Sequence, residues 1–300
     1  MDVVLHIVDE YAADYVYNFV STVSGFQVLA RDELIRQVLT LSFITYFGIF
    51  ILYLLSAGIS YEYLYDKRQM NHPKFLPNQL KLEIQCALDA FFPMMCLTVP
   101  FFIAEVRGYS KLYDNIEDYG IGYFFGSIAM FLLFTDFGIY WIHRILHHKW
   151  FYGPLHKLHH KWIVPTPFAS HAFYFLDGYL QSIPYHIATF VFPMHKLLYI
   201  GLFLFVSVWS VIIHDGEYYT DGKIINGAVN HTIHHLYFNY NYGQYFTLWD
   251  RVFGTYRAPT EELFDKEKRN DPKVMKKTSK DVDEMHKIAI IDKSLSKMIK

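Results

Sequence analysis

Sulfur and charge are both scarce in this 300-residue chain. Its two cysteines, Cys86 and Cys96, lie in one hydrophobic stretch. They form no CxxC pair and no disulfide framework, so thiolate ligation of a metal is excluded. Charged residues make up 19 % and balance to a net charge of -2. No basic block dense enough for a nucleic-acid footprint occurs in the core, so nucleic acid is not an expected partner. The first seventeen residues carry Asp2, Asp9, Glu10 and Asp14 without a continuous apolar core, which argues against a cleavable signal peptide. HExxH is missing, and with it the general base of the zinc proteases. No fixed period marks a solenoid.

Apolar and aromatic residues are abundant instead. They reach 53 % and 19 %, with 27 Phe and 25 Tyr. The mean hydropathy is positive, as expected of a polytopic membrane protein. Residues 38–61 run for 24 positions without a charge, enough to cross a hydrocarbon core of ~30 Å. Acidic residues precede this stretch, and Lys67, Arg68, Lys74 and Lys81 follow it. The positive-inside tendency then places residues 1–37 in the lumen and the 62–83 loop in the cytosol. Residues 84–104 form a second candidate, interrupted by Pro93 and Pro100 and carrying Asp89. Residues 119–141 form a third, holding Asp136, an intramembrane acid and therefore a functional candidate. Residues 176–213 read as a helical hairpin broken at Pro193. After Pro259 the composition turns to Lys, Asp and Glu, as in a mobile charged tail. The expected fold is all-α: a polytopic membrane bundle of about four spans, one as a hairpin. Its segments are 1–37, a membrane-embedded domain at 38–258 and a cytosolic tail at 259–300.

Histidines supply the chemistry. The chain reads HRILHH at 143–148, HKLHH at 156–160 and HTIHH at 231–235. Residues three and four apart share a helix face, so each group is expected to aim its imidazoles into one cavity. Neutral imidazole ligates iron, copper, nickel and zinc. One HxxHH alone is weak evidence, since a lone histidine is more often a capping or hydrogen-bonding residue. Three matched groups at the ends of apolar spans point to metal. So many candidates exceed the needs of one ion, which takes about four protein ligands in a zinc site, and imply two. Boxes one and three share a centre only if the 176–213 segment returns the chain to its starting side. Spacing does not name the metal, and zinc hydrolysis and iron–oxygen chemistry both remain open at this point. An aromatic-rich membrane enclosure favours oxidation of an apolar substrate, whose C–H bonds demand a strong oxidant shielded from water.

These boxes resemble the sterol desaturase/fatty acid hydroxylase superfamily. TPFASHAF at 166–173, Asp177-Gly178, IHDG at 213–216 and NYNYGQYFTLWDR at 239–251 resemble its sterol C-5 desaturase (lathosterol oxidase) branch, as does IAEVRGYSK at 103–111. The likeness covers about residues 36–258. It implies a di-iron enzyme of the endoplasmic reticulum membrane, its histidine boxes facing the cytosol, that uses O2 to introduce the C5–C6 double bond into a Δ7-sterol. Electrons would come from NAD(P)H through cytochrome b5 and its reductase. By motif match the metal role falls to His143, His147, His156, His159, His160, His231, His234 and His235. His148 completes the first box, and His214 matches a further family ligand. His171 is implied as a ligand or as a donor orienting one. Asp136 and Asp215 are further candidates beside the centre or the substrate. The family commonly has histidine where this chain has Tyr174, which then hydrogen-bonds near the site or shapes the sterol channel. A related sterol hydroxylase, methyl oxidase or fatty acid hydroxylase is the alternative, and a non-catalytic sterol-binding membrane protein is a third reading. Asn230 heads a glycosylation sequon that a cytosolic location leaves unmodified.

Overall fold

A computed structural model describes residues 1–220 and 222–298. Near the N-terminus α1 (Asp2–Val8) and α2 (Asp14–Ser24) are joined by a π turn. The buried Arg36 guanidinium pairs with Asp9 at 2.7 Å and also with Asp14, fastening this segment to the start of α3 (Leu34–Tyr63). On α3 the exposed residues Ile35, Leu39, Phe43, Ile51, Leu55 and Ile59 recur at multiples of four, so they form one ridge. Such a continuous apolar ridge suits lipid rather than water. The opposite face buries Leu41, Tyr53 and Ala57.

Helix α4 (Gln79–Val106) runs back antiparallel to α3, and α5 (Gly120–Leu146) returns. Among the described residues these three helices are long and apolar enough to cross a membrane. Pro93 and Pro100 do not interrupt α4, contrary to the sequence expectation. Neighbouring helices stabilise such a segment where proline removes an intrahelical hydrogen bond.

The hairpin consists of α6 (Phe175–Val191) and α7 (Lys196–Ile212). Seventeen residues give each arm about 26 Å of length. Its turn is tied down by a short parallel pair, β1 (Leu112–Tyr113) with β2 (Met194–His195). Alternating directions put the ends of α3, α5 and α7 on one side of the bundle, opposite this pair. Gly138 on α5 permits a close approach of the hairpin: a Cβ there would lie 2.7 Å from Pro184 of α6.

Helix α8 (Ala228–Tyr237) carries the third box, and α9 (Leu248–Val252) follows it. Short turns α10 (Glu261–Phe264) and α11 (Lys266–Arg269) lead to α12 (Pro272–Met298). The beginning of the charged tail is docked, in contrast to the mobile extension expected from composition. Glu217 pairs with Lys266 at 2.6 Å and Arg269 at 3.4 Å, while Met275 and Val282 are buried.

Candidate metal centre

Nine of the chain's 16 histidines converge where α5, α7 and α8 end or begin. They sort into two groups whose potential ligand atoms lie within 4.8 Å of one another. One contains His143, His147, His156, His160 and His234, the other His159, His214, His231 and His235.

The boxes are therefore not the units of the site. Each was expected to face one cavity, yet boxes two and three each divide between the groups. On α8, helical geometry accounts for the split. At about 100° per residue, a histidine at i+4 lies about 40° from the first, whereas one at i+3 lies about 60° the other way. The i,i+4 pairs 143/147, 156/160 and 231/235 each stay together, while His159 and His234 cross to the other group. Box two also lacks a continuous α-helix. It uses a π turn, Tyr152–His156, followed by a 3-10 turn, His159–Lys161.

Ring edges face inward. Nε2 of His156 lies 3.2 Å from that of His143 and 3.1 Å from that of His160. The Nε2 atom of His160 lies 3.1 Å from that of His147. In the other group Nε2 of His231 lies 2.9 Å from His214 and 3.1 Å from His235. Adjacent nitrogens bound at ~2.0–2.1 Å to one ion would be roughly 2.9–3.4 Å apart, depending on geometry. Among the described residues, Nε2 of His234 is buried without a protein partner. Two all-nitrogen donor sets of this kind fit first-row transition metals, and fit calcium or magnesium poorly because those ions require oxygen.

Outward-facing nitrogens fix several rings. The Nδ1 atoms of His143 and His234 reach the carbonyl oxygens of Tyr242 and Tyr240 at 3.1 and 2.8 Å. His214 Nδ1 reaches Ser210 O at 2.7 Å. His156 Nδ1 lies 2.7 Å from Asp177 Oδ2, both side chains being fully buried. With Nδ1–H donated outward, Nε2 keeps its lone pair for a metal. Burial, reinforced by neighbouring imidazoles, holds His147, His160, His231, His234 and His235 well below the usual histidine range. Burial pushes His159 down to about 3. These rings are consequently neutral at pH 7.

The aromatic loop after box three positions the rings through its backbone. Asp250 accepts from Tyr242 N–H and Gly243 N–H at 2.8 and 2.9 Å. Asp136 Oδ1 accepts from Gln244 N–H and Tyr245 N–H at 2.9 and 2.7 Å. Asp136 thus holds the loop that presents Tyr242 O to His143. Sequence pattern singled out Asp136 but not its acceptor role, and it missed the roles of Asp177 and Asp250. Asp177 stood within the Asp-Gly signature, but its pairing with His156 depends on tertiary folding.

Four candidates lie elsewhere. His148 is exposed, its Nδ1 accepting from Trp150 N–H at 3.5 Å, and joins neither group. It lies beyond the end of α5, in the bend that leads to Trp150, and so leaves the face that carries His143. Asp215 is buried behind His214, accepting from Glu217 N–H at 2.7 Å, and burial pushes its carboxyl up to about 7. Tyr174 is an exposed residue flanking Phe175 at the start of α6, away from the main cavity. His171 belongs to neither group but lines the cavity beside His143, His159, His214 and His231.

That cavity measures about 330 Å³ and is chiefly apolar. Its wall along α7 extends from Tyr199 to Ile213, about 21 Å at the helical rise. Gly178 matters here: a Cβ would fall 2.0 Å from the Phe173 ring, another part of the wall.

A family model described as fatty acid hydroxylase matches residues 128–255, a range containing both histidine groups. A Schizosaccharomyces pombe protein named Delta(7)-sterol 5(6)-desaturase is 53 % identical over 92 % of this chain and 90 % of its own length. The chain belongs to the Delta(7)-sterol 5(6)-desaturase family. A Leptosphaeria maculans family member is 54 % identical over 85 % of this chain and 72 % of its own. A second Schizosaccharomyces pombe desaturase of this name is 48 % identical over 90 % of this chain and 91 % of its own. No solved structure matches this member of the desaturase family.

Proposed function

We propose that the protein is a sterol C-5 desaturase that introduces the C5–C6 double bond into a Δ7-sterol, converting lathosterol to 7-dehydrocholesterol in sterol biosynthesis. One observation carries the reading: two adjoining histidine groups open onto a long apolar cavity in a chain about half identical to proteins of that name. The metal ligands are His143, His147, His156, His160 and His234 for one ion, and His159, His214, His231 and His235 for the other. His148 is not in this set. Two irons, when bound, supply the oxidising power that uses dioxygen to remove hydrogen from unactivated carbon. Overall, two hydrogens from the sterol, two electrons and two protons convert O2 to two waters. NAD(P)H supplies the electrons through its reductase and cytochrome b5.

The chain orients its imidazoles through Asp177, Tyr240, Tyr242 and Ser210, and its aromatic rings keep water from the reacting carbon. The cavity fixes that carbon, where an error of about 1 Å costs on the order of a hundredfold in rate. We place the enzyme in the endoplasmic reticulum membrane with residues 1–37 lumenal. The 38–258 domain then carries its histidines on the cytosolic side, with the 259–300 tail. The cationic 64–78 loop at the histidine end of the bundle supports this orientation.

The test is conversion of lathosterol by membranes supplied with NADH and cytochrome b5. Loss of two hydrogens is expected, abolished by His159→Ala or His234→Ala. Wild-type turnover by both variants would refute the metal assignment. A second reading, hydroxylation on the same scaffold, draws on the description of the family model. A product that gains one oxygen would establish it.

A further inference from the structure

The position of the reacting bond restricts how a sterol lies in the cavity. In a Δ7-sterol the 3-hydroxyl oxygen is three bonds from C5, a path of about 3.8 Å when extended. Any group receiving this hydroxyl must therefore stand beside the histidine groups. His186 and Thr98, farther along the lining, are excluded on this ground.

His171 and Ser170 satisfy the requirement. Both line the cavity, and the Phe173 ring lies between His171 and His159 of the second histidine group, with centroids 6.1 and 6.2 Å away. The His171 ring is held between Tyr53 and Phe91, with centroids 5.2 and 6.1 Å away. Its turn, Pro167–His171, is fastened to α3 and α4. Tyr53 OH donates to Phe168 O at 2.9 Å, and buried Glu83 accepts from Thr166 N–H at 3.3 Å and from its hydroxyl. Nδ1 of His171 is 3.0 Å from Ser170 Oγ, while Nε2 has no protein hydrogen bond among the described residues. Burial pushes the imidazole down to about 4, keeping it neutral with one N–H and one lone pair. Other polar groups nearby are already engaged: Gln181 Nε2 donates to Asp177 Oδ1 at 2.8 Å and Gln244 Nε2 to Ser210 Oγ at 3.2 Å.

We propose that the His171–Ser170 pair is the subsite for the sterol 3-hydroxyl, so that ring A enters first and the side chain extends along α7 towards Tyr199. This rests on the desaturase reading above. The hydroxyl both donates and accepts, and a histidine–serine pair adapts its tautomer to either demand. His171 is therefore a substrate-positioning residue rather than a metal ligand.

The test compares a Δ7-sterol with its 3-deoxy analogue in wild-type and His171→Ala holoenzyme, with metal counted in each. Wild type is expected to favour the alcohol about tenfold in kcat/KM, and His171→Ala to reduce that preference below about twofold with two metals retained. Ser170→Ala, a milder change, should lower it about threefold. Competition of both sterols against radiolabelled Δ7-sterol on purified protein measures the same preference without turnover. Unchanged preference in His171→Ala, or metal loss in that variant, overturns the subsite. Failure of wild type to form a 5,7-diene would instead overturn the desaturase reading, while the binding comparison still decides the subsite.

Discussion

Asp177→Asn isolates one group of histidines from the other. The carboxylate lies 2.7 Å from His156 Nδ1, and neither side chain is exposed, so water cannot replace the interaction. A hydrogen bond to a charged acceptor contributes about 1.5–3 kcal/mol, against about 0.5–1.5 for a neutral pair. Asparagine preserves the shape and one acceptor oxygen, so the loss is about 1–1.5 kcal/mol, or roughly tenfold in affinity of the five-histidine group. Partners of this kind typically change metal affinity by about 10–100-fold, and asparagine falls at the lower end. Asp177→Ala leaves the His156 N–H unsatisfied and should approach the upper end. The other four histidines do not bond to Asp177 and should retain their ion. Chelator titration with metal counting reads both sites: one ion should leave Asp177→Asn at about tenfold lower chelator while the second leaves as in wild type. Release of both ions at the wild-type concentration, or of the four-histidine ion first, would refute the assigned coupling.

His159→Ala and His156→Ala should each weaken a different ion despite lying three residues apart, whereas exposed His148→Ala should leave metal content and turnover unchanged; metal counting with single-turnover assays checks both. Asp136→Ala strands the buried N–H of Tyr245, at a cost of about 1–3 kcal/mol, and frees the half-buried N–H of Gln244; thermal unfolding should report the loss. Gly178→Ala places a methyl against Phe173 and should destabilise by about 1–3 kcal/mol, again read by thermal unfolding. Asn230 is buried with Nδ2 donating to Gly222 O at 3.2 Å, so the expressed protein should show no glycosidase-sensitive shift.

Long apolar runs made three membrane helices and the returning hairpin readable from sequence, because crossing a hydrocarbon layer demands a local pattern. Proline placement misled at Pro93 and Pro100, since tertiary packing preserved α4. Histidine spacing indicated a two-metal centre but not its partition. That partition follows from the 100° step around a helix and from where neighbouring turns bring opposing rings. His148 illustrates the same limit: it lies within a box, yet faces outward. Asp177, Asp250 and the Tyr240 and Tyr242 carbonyls escaped sequence reading because carboxylate and backbone acceptors become identifiable only after folding. The His171–Ser170 pair was visible as a motif, but its place in the cavity, one ring away from His159, was not.

Purified protein reconstituted with iron, cytochrome b5, its reductase, NADH and lathosterol provides the most direct test. A conjugated 5,7-diene is expected only with dioxygen, with two hydrogens lost per sterol and no product from His159→Ala. A sterol gaining one oxygen, or equal diene formation by His159→Ala, would overturn the desaturase assignment.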